Sequence, residues 1–442
     1  MNWKQLASTK PCSAYSIFCG VLDYPESILE KLKSGNKEDR YGFDEWKIHV
    51  NPDNETSEDI IKGFNRFYYE SFVHTIFPDP KSSDEQHFNS DFAEKTLRLS
   101  RKIDQTLPVT IRQGKLTHVF NIKFEYMDLF FFPREIVVYC FKCDLSGFSF
   151  DEITLINNYL RNSGVTEDTQ FLYDSLSFLE PRDETGSNNN SLSFGNKMKV
   201  FSLVEHDEDI TKEEENMLLY DLGICAPIGS ASGVNPYFQP SKEYYQELIE
   251  KNRITVFDNW SALSLFDTFT GLFRKGALNN FIWENGYFNL LYLQSLYVKH
   301  YLFKINKIFY SKDANHQELE DEFFEFNKYY NPSHISYNFL PPVIFKKIRY
   351  SLAVSDELTL LKEGIERANK KVTEKRDKMI NNILAFIGIL AVFSVIWDLS
   401  GWVNELFSGN TTSYNILSGS LTVIVLLILG IFLFKNYRKK SR

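Results

Sequence analysis

Apolar residues concentrate near the C-terminal end of this 442-residue chain, in two runs, Met379 to Trp397 and Ile416 to Phe434. A helix needs ~20 mostly apolar residues to cross the hydrocarbon core of a bilayer, so each run predicts a transmembrane helix. The segment between them, 398–415, carries Asp398 and Glu405 but no Lys or Arg. Basic residues crowd the outer flanks: Lys370, Lys371, Lys375, Arg376 and Lys378 before, and Lys435, Arg438, Lys439, Lys440 and Arg442 after. The positive-inside rule then places both flanks in the cytoplasm and 398–415 outside. The expected location is the cytoplasmic (inner) membrane, multi-pass, with both termini cytoplasmic.

Upstream, the patterning predicts a mixed α+β domain of α/β type. Ser57 to Ser71 and Phe92 to Ile103 read as helices. From Leu107 to Leu145 apolar and polar residues alternate, with Gln113-Gly114 at a turn, which predicts a β-meander. Ser149 and Glu152 form a capping box ahead of a helix running through Tyr159, and Thr211 and Glu214 form another ahead of Met217 to Leu222. Lys197 to Val204 reads as a strand, Gly186 to Asn196 as a polar loop, and Ile228 to Pro240 as a Gly/Ser/Pro loop closed by a cap at Ser241. From Ser261 onward the pattern is helical, with long helices at Phe281 to Tyr310 and Gln317 to Tyr330.

Pro341 and Pro342 suit the first turn of one further helix. Leu358, Leu361, Ile365, Ala368, Val372, Lys375, Met379 and Asn382 then follow alternating steps of three and four, a heptad seam leading into the first membrane run. A helix from Pro342 to Trp397 would be roughly 84 Å long at 1.5 Å per residue, too long to stand alone. The seam is either packed on its own domain or forms an oligomeric stalk. On the stalk reading, Asn382, Phe386, Ile389, Phe393 and Ile396 line a pore, with a hydrophobic constriction that gates by dewetting. The expected division is a ligand-sensing domain over 1–340 (with a sub-boundary near 105), a stalk over 341–378, membrane helices at 379–397 and 416–434 around an external loop at 398–415, and a basic tail over 435–442.

Charge sharpens this picture. The formal net charge is −9; residues 379–442 carry five basic and two acidic side chains, leaving −12 on residues 1–378. An acidic soluble part does not suit direct DNA or RNA binding, which needs a basic face. The N-terminus, MNWKQLASTKPCSAYS, has no apolar stretch of signal-peptide type. Five cysteines fit a reducing compartment. The pair Cys140 and Cys143 lies in IVVYCFKC, a strand pattern that points them to opposite faces.

Candidate chemistry is sparse. There is no P-loop, no G-x-G-x-x-G and no H-E-x-x-H, and no catalytic constellation is visible, so the expectation is a non-enzyme. Glu205, Asp207 and Asp209 in EHDED are candidate oxygen ligands for a hard divalent cation such as Mg, or simply a solvated loop. In GSASG, Ser230, Ser232 and the backbone amides are candidates to cradle a phosphate, or form a plain linker. Arg253, Arg274 and Lys275 are candidate partners for an anionic ligand. Gly401, Asn404 and Glu405 would stand at an outer mouth.

An α/β domain, a very long helix entering the first of two membrane helices, a short outside loop and a basic tail: this order resembles the CorA family of divalent-cation channels. The resemblance covers mainly residues 340–442. It implies homopentamers and a pore lined by the first membrane helix. Where the family's Gly-Met-Asn signature should follow, the chain reads Ser400-Gly401-Trp402-Val403-Asn404, with Gly and Asn at another spacing and no Met, a departure that counts against magnesium selectivity. CorA-like proteins lacking that signature are similar in standing beside type III CRISPR systems, as membrane effectors responding to a nucleotide second messenger. The expected function is therefore a homo-oligomeric channel gated by a small, nucleotide-type ligand. A housekeeping divalent transporter and a membrane-tethered, non-transporting scaffold remain as alternatives.

Overall fold

The computed structural model describes residues 2–23, 46–48, 63–64, 66–73, 75–77, 96–162, 166–176, 179, 197–311, 315–332 and 334–406. The second apolar run (416–434), the basic tail (435–442), the polar loop at 186–196 and residues 57–62 and 65 of the helix expected over 57–71 lie outside these residues. The described part of that helix is not continuous, since Arg66 and Phe67 are in a turn and Tyr68 bridges to Ser336 before a short helix starts at Glu70. Contacts divide the chain into two compact units, Met1–Ile365 and Glu366–Arg442.

The first unit is built on one nine-stranded sheet in the order β2-β3-β4-β5-β1-β6-β9-β8-β7. Its strands are β1 (Ser13–Asp23), β2 (Lys47–Ile48), β3 (Leu97–Gln113), β4 (Leu116–Phe132), β5 (Ile136–Asp144), β6 (Lys199–His206), β7 (Arg253–Phe257), β8 (Trp260–Ser264) and β9 (Thr268–Arg274). All pairings are antiparallel except β6 with β9. The expected meander is present as β3, β4 and β5, with Gly114 in the left-handed region at the first turn (φ 60°).

The described helices are α1 (Trp3–Ser8), α2 (Glu70–Val73), α3 (Phe150–Asn162), α4 (Gln170–Asp174), α5 (Lys212–Ile224), α6 (Lys242–Asn252), α7 (Gln294–Phe309), α8 (His316–Tyr330), α9 (Leu340–Ser351) and α10 (Val354–Leu406). They cover the sheet on both sides. On one face Ile17, Cys140 and Phe201 pack with Leu290, Tyr297, Phe326, Ile344 and Leu361. On the other, Phe18, Phe141 and Val204 pack with Leu6, Ile153, Leu160, Leu218 and Leu248. Burial on both faces explains why β5 reads as a continuous apolar run instead of an alternating one. It also places Cys140 in one core and Cys143 in the other, as their spacing on a strand requires.

Both expected capping boxes form. Glu152 accepts from the Ser149 amide at 2.7 Å, and Glu214 from the Thr211 amide at 2.9 Å. Three further expectations fail. Residues 97–103 belong to β3, not to a helix: cross-strand pairing with Phe131 through Met127 overrides a weak helical pattern. Residues 260–274 form β8 and β9, because the short run TFTGLFR sits in the sheet interior with every residue but Arg274 buried. The long helix expected from Phe281 starts as a π-helical turn sequence, Ile282–Leu293, before α7.

The helix expected from Pro342 is also not continuous. It breaks at Leu352-Ala353, where Ala353 takes φ 54°, a conformation that costs an L-residue roughly 1–2 kcal/mol. After the break, α10 starts at Val354 and runs for 53 residues, about 80 Å at helical rise. It continues to Leu406, so the start of the expected external loop is helical.

Candidate functional site

Among the described residues, two features invite a functional reading. One is a cavity of about 470 Å³ in the first unit; the other is the apolar length of α10.

The cavity is assembled from six segments, one of which supplies Lys197 just before β6. The ends of α3 and α5 supply Arg161 and Gly223, and α6 supplies Tyr244 and Asn252. The β8–β9 turn supplies Phe266 and Asp267, and Tyr350, Ser351 and Asp356 come from either side of the α9–α10 break. Arg161 is only 7% exposed. Its Nε has no acceptor, and its Nη2 has one long contact, 3.4 Å to Asn158 Oδ1. A buried guanidinium normally carries several hydrogen bonds, because burying an unpaired charge is costly. Asn252 Oδ1, on the same lining, is buried and also has no donor.

One of the cavity's two acids, Asp267, is already occupied. Asp267 accepts from Lys197 and Lys199, each at 2.7 Å. Burial alone would raise its pKa, but the two lysine hydrogen bonds outweigh that and hold it below the usual range. Lys199 is pushed down by burial. Its Nζ lies 3.8 Å from the centre of the Phe266 ring, with Lys299 Nζ 5.3 Å from the same ring. Phe266, Tyr244 and Tyr350 are half or nearly half exposed.

None of the sequence-predicted ligand residues lines this cavity. The GSASG loop does form an anion-binding nest, but its anion is internal. The amides of Gly229 and Ala231 each donate at 2.8 Å to the fully buried Asp221 carboxylate. Ser230 Oγ donates to Pro227 O and Ser232 Oγ to Gly229 O. Burial raises the Asp221 pKa to about 7, against the pull of those amides. Arg253 donates to Glu215 at 2.8 Å, and Ser261 donates to the same oxygen. Arg274 fastens the 206–210 turn through the carbonyls of Glu208 and Ile210, and Lys275 meets Asp207 at 3.3 Å.

The acidic run is dispersed in the same way. Glu205 accepts from the amides of Gly276 and Leu278 and from Ser13 Oγ, while Asp209 is exposed. Among the described residues, no three His, Cys, Asp or Glu side chains converge into a metal-holding group.

A further polar cluster lies against the π-helical turns, and its charged members are paired with one another. Lys142 Nζ is 2.7 Å from Glu284 and 3.0 Å from Glu125, and it sits 4.5 Å from the centre of the Tyr15 ring. Tyr126 donates to Glu284. Burial would lower the Lys142 pKa, but the two glutamates more than offset it and raise it.

Along α10 the heptad seam changes character. Leu361 and Ile365 are 2% exposed and belong to the first unit's core, with Leu358 packed beside them. In the second unit the same phase continues through Val372 (54% exposed), Lys375, Met379, Asn382 and Phe386, all exposed, and then through Ile389, Phe393 and Ile396, which are half-buried. Gly401 is exposed, and Asn404 and Glu405 fall in the last turns of α10. Among the described residues, one helix is long and apolar enough to cross a membrane; its mean hydropathy reaches 2.3 and that stretch is unburied.

Arg161, Asn252, Phe266 and Tyr350 carry no motif. They are separated by 91, 14 and 84 positions in sequence, and only the fold brings them to one wall. Compared with models of known protein families, with curated proteins and with solved structures, the chain matches none.

Proposed function

We propose that this chain is one subunit of a homo-oligomeric, CorA-like membrane channel. A small ligand held by residues 1–365 biases the pore, and a nucleotide second messenger in an antiviral setting is the favoured signal. The observation that carries this reading is the seam on α10. Its first turns are buried within their own unit, while Ala368, Val372 and Met379 continue in phase outside the core clusters formed by the described residues. An apolar stripe in register with a buried one asks for more helices of the same kind, and further copies of α10 supply them. Within the bilayer the stripe becomes Phe386, Ile389, Phe393 and Ile396, a lining that would close a narrow pore by dewetting.

Two features argue against a divalent-cation transporter. The Gly-Met-Asn signature is absent, and the Glu205–Asp209 carboxylates are dispersed or engaged elsewhere. A hairpin used only as an anchor accounts for apolar surface within 379–397, but not for a seam that begins before the membrane. The test is ion flux from liposomes reconstituted with the full chain. Phe393→Ala should widen the constriction and raise basal leak severalfold, and Asn382→Leu should lower conductance. Absence of flux in the wild type and in Phe393→Ala would leave the tethered scaffold standing.

A further inference from the structure

We infer that the cavity at the α9–α10 break binds an anionic ligand carrying a planar ring with N–H donors, a ligand of the nucleotide class. Arg161 supplies the charge. It is more than nine-tenths buried, its Nε faces no acceptor, and no acidic side chain among the described residues pairs with it. The fold therefore retains a buried guanidinium on the cavity lining with no acid partner and one long side-chain contact, and an anion in the cavity would give the edge that lines it a charged partner. Asp267 cannot serve this purpose, since Lys197 and Lys199 already hold it.

Asn252 supplies the complementary half. Its Oδ1 is an acceptor without a donor and is sealed in this structure, so a turn of the side chain would be needed to offer it to a ring N–H or exocyclic amine. The aromatic side chains of Tyr244 and Tyr350 on the lining offer faces on which such a ring can stack, whereas Phe266 already has Lys199 over its ring. A volume of about 470 Å³ is within the range of small-ligand sites.

The position gives the site a consequence. Tyr350 and Ser351 end α9, Asp356 lies in the first turn of α10, and the left-handed Ala353 stands between them. Ser351 is tied to the sheet by a 2.7 Å hydroxyl contact with Ser264. A ligand that touches both sides of this break has different contacts for each angle between α9 and α10, which is what a ligand needs in order to shift a two-state equilibrium. That gating consequence rests on the channel reading above; the binding does not.

The test is calorimetric titration of the detergent-purified full chain with three probes: AMP, adenosine and inorganic phosphate. AMP should bind saturably and more tightly than either fragment. Arg161→Gln should weaken AMP by at least about tenfold, the loss expected of one charge-assisted hydrogen bond, and leave adenosine unchanged. Asn252→Ala should weaken AMP and adenosine together. Tyr244→Ala, at a half-exposed position, removes stacking area with little risk to folding. Lys275→Gln, outside the cavity, should bind like wild type. Absence of saturable AMP binding by the wild type overturns the inference, as does wild-type affinity in Arg161→Gln and Asn252→Ala alike. Flux measured on the same preparation separates the two readings. Binding without flux removes the channel and keeps the site, whereas flux without binding removes the site and keeps the channel.

Discussion

Asp221 and His206 show how burial sets the protein's response to pH. Asp221 has a folded pKa of about 7 against an ordinary value of 3.8, so the folded state holds its proton where the unfolded state has lost it. Stability from this group is complete at low pH and falls as pH rises from about 4 to 7. His206 works in the opposite sense. Burial, helped by nearby Arg274, lowers its pKa from 6.5 to about 4, so stability falls as pH drops through that interval. The two slopes overlap and flatten the wild-type profile. Thermal unfolding of wild type against Asp221→Asn isolates one of them: between pH 4 and 7 wild type should lose on the order of 2–4 kcal/mol relative to the variant. A constant difference across that range would contradict the assignment. The Lys142 cluster predicts a larger and simpler effect. Glu284→Ala removes one partner of a buried cation and should cost about 3–5 kcal/mol, while Lys142→Met combined with Glu284→Leu should recover most of it. The GSASG loop is instructive at this scale. Its composition signals a nest of amides, but the carboxylate that fills it lies in a helix several residues upstream, where nothing in the local pattern points to it.

Among the elements, the stripe on α10 is buried at its start and exposed further along. Leu361 lies in the first unit's core, so Leu361→Ala should lower unfolding stability by about 2–5 kcal/mol, measured by denaturant titration. Val372→Asp, about three turns further on the same face and more than half exposed, should leave that stability within about 0.5 kcal/mol and shift the mass of the detergent-solubilised assembly downward. Loss of folding in Val372→Asp, or no change in mass, would contradict the division. The heptad was readable in the sequence because period and phase are local properties. Which half of it packs internally was not, since that depends on where the sheet and α7 lie. The same reasoning separates the elements read correctly from those read wrongly. The meander, both capping boxes and α8 have strong local signals. Strands β8 and β9 are short runs buried on both faces, and such runs look helical until their sheet partners are known. The break at Ala353 left no mark either, because Leu352-Ala353 is an ordinary helical dipeptide and the left-handed turn is imposed by its surroundings.

For the whole molecule, the legible part was the segregation of the chain: an acidic, mixed α+β portion followed by apolar length with basic flanks. The sheet order was not legible, nor was the cavity, whose lining comes from segments nearly 200 residues apart. The central claim is that copies of this chain assemble with α10 facing a common axis. Cryo-EM of the full-length protein in lipid nanodiscs tests it most directly. The account predicts a closed ring, fivefold on the CorA resemblance, with residues 379–397 of α10 around the axis and Val372 facing its neighbours. A monomer or dimer with α10 facing lipid on all sides and no axial pore would contradict it.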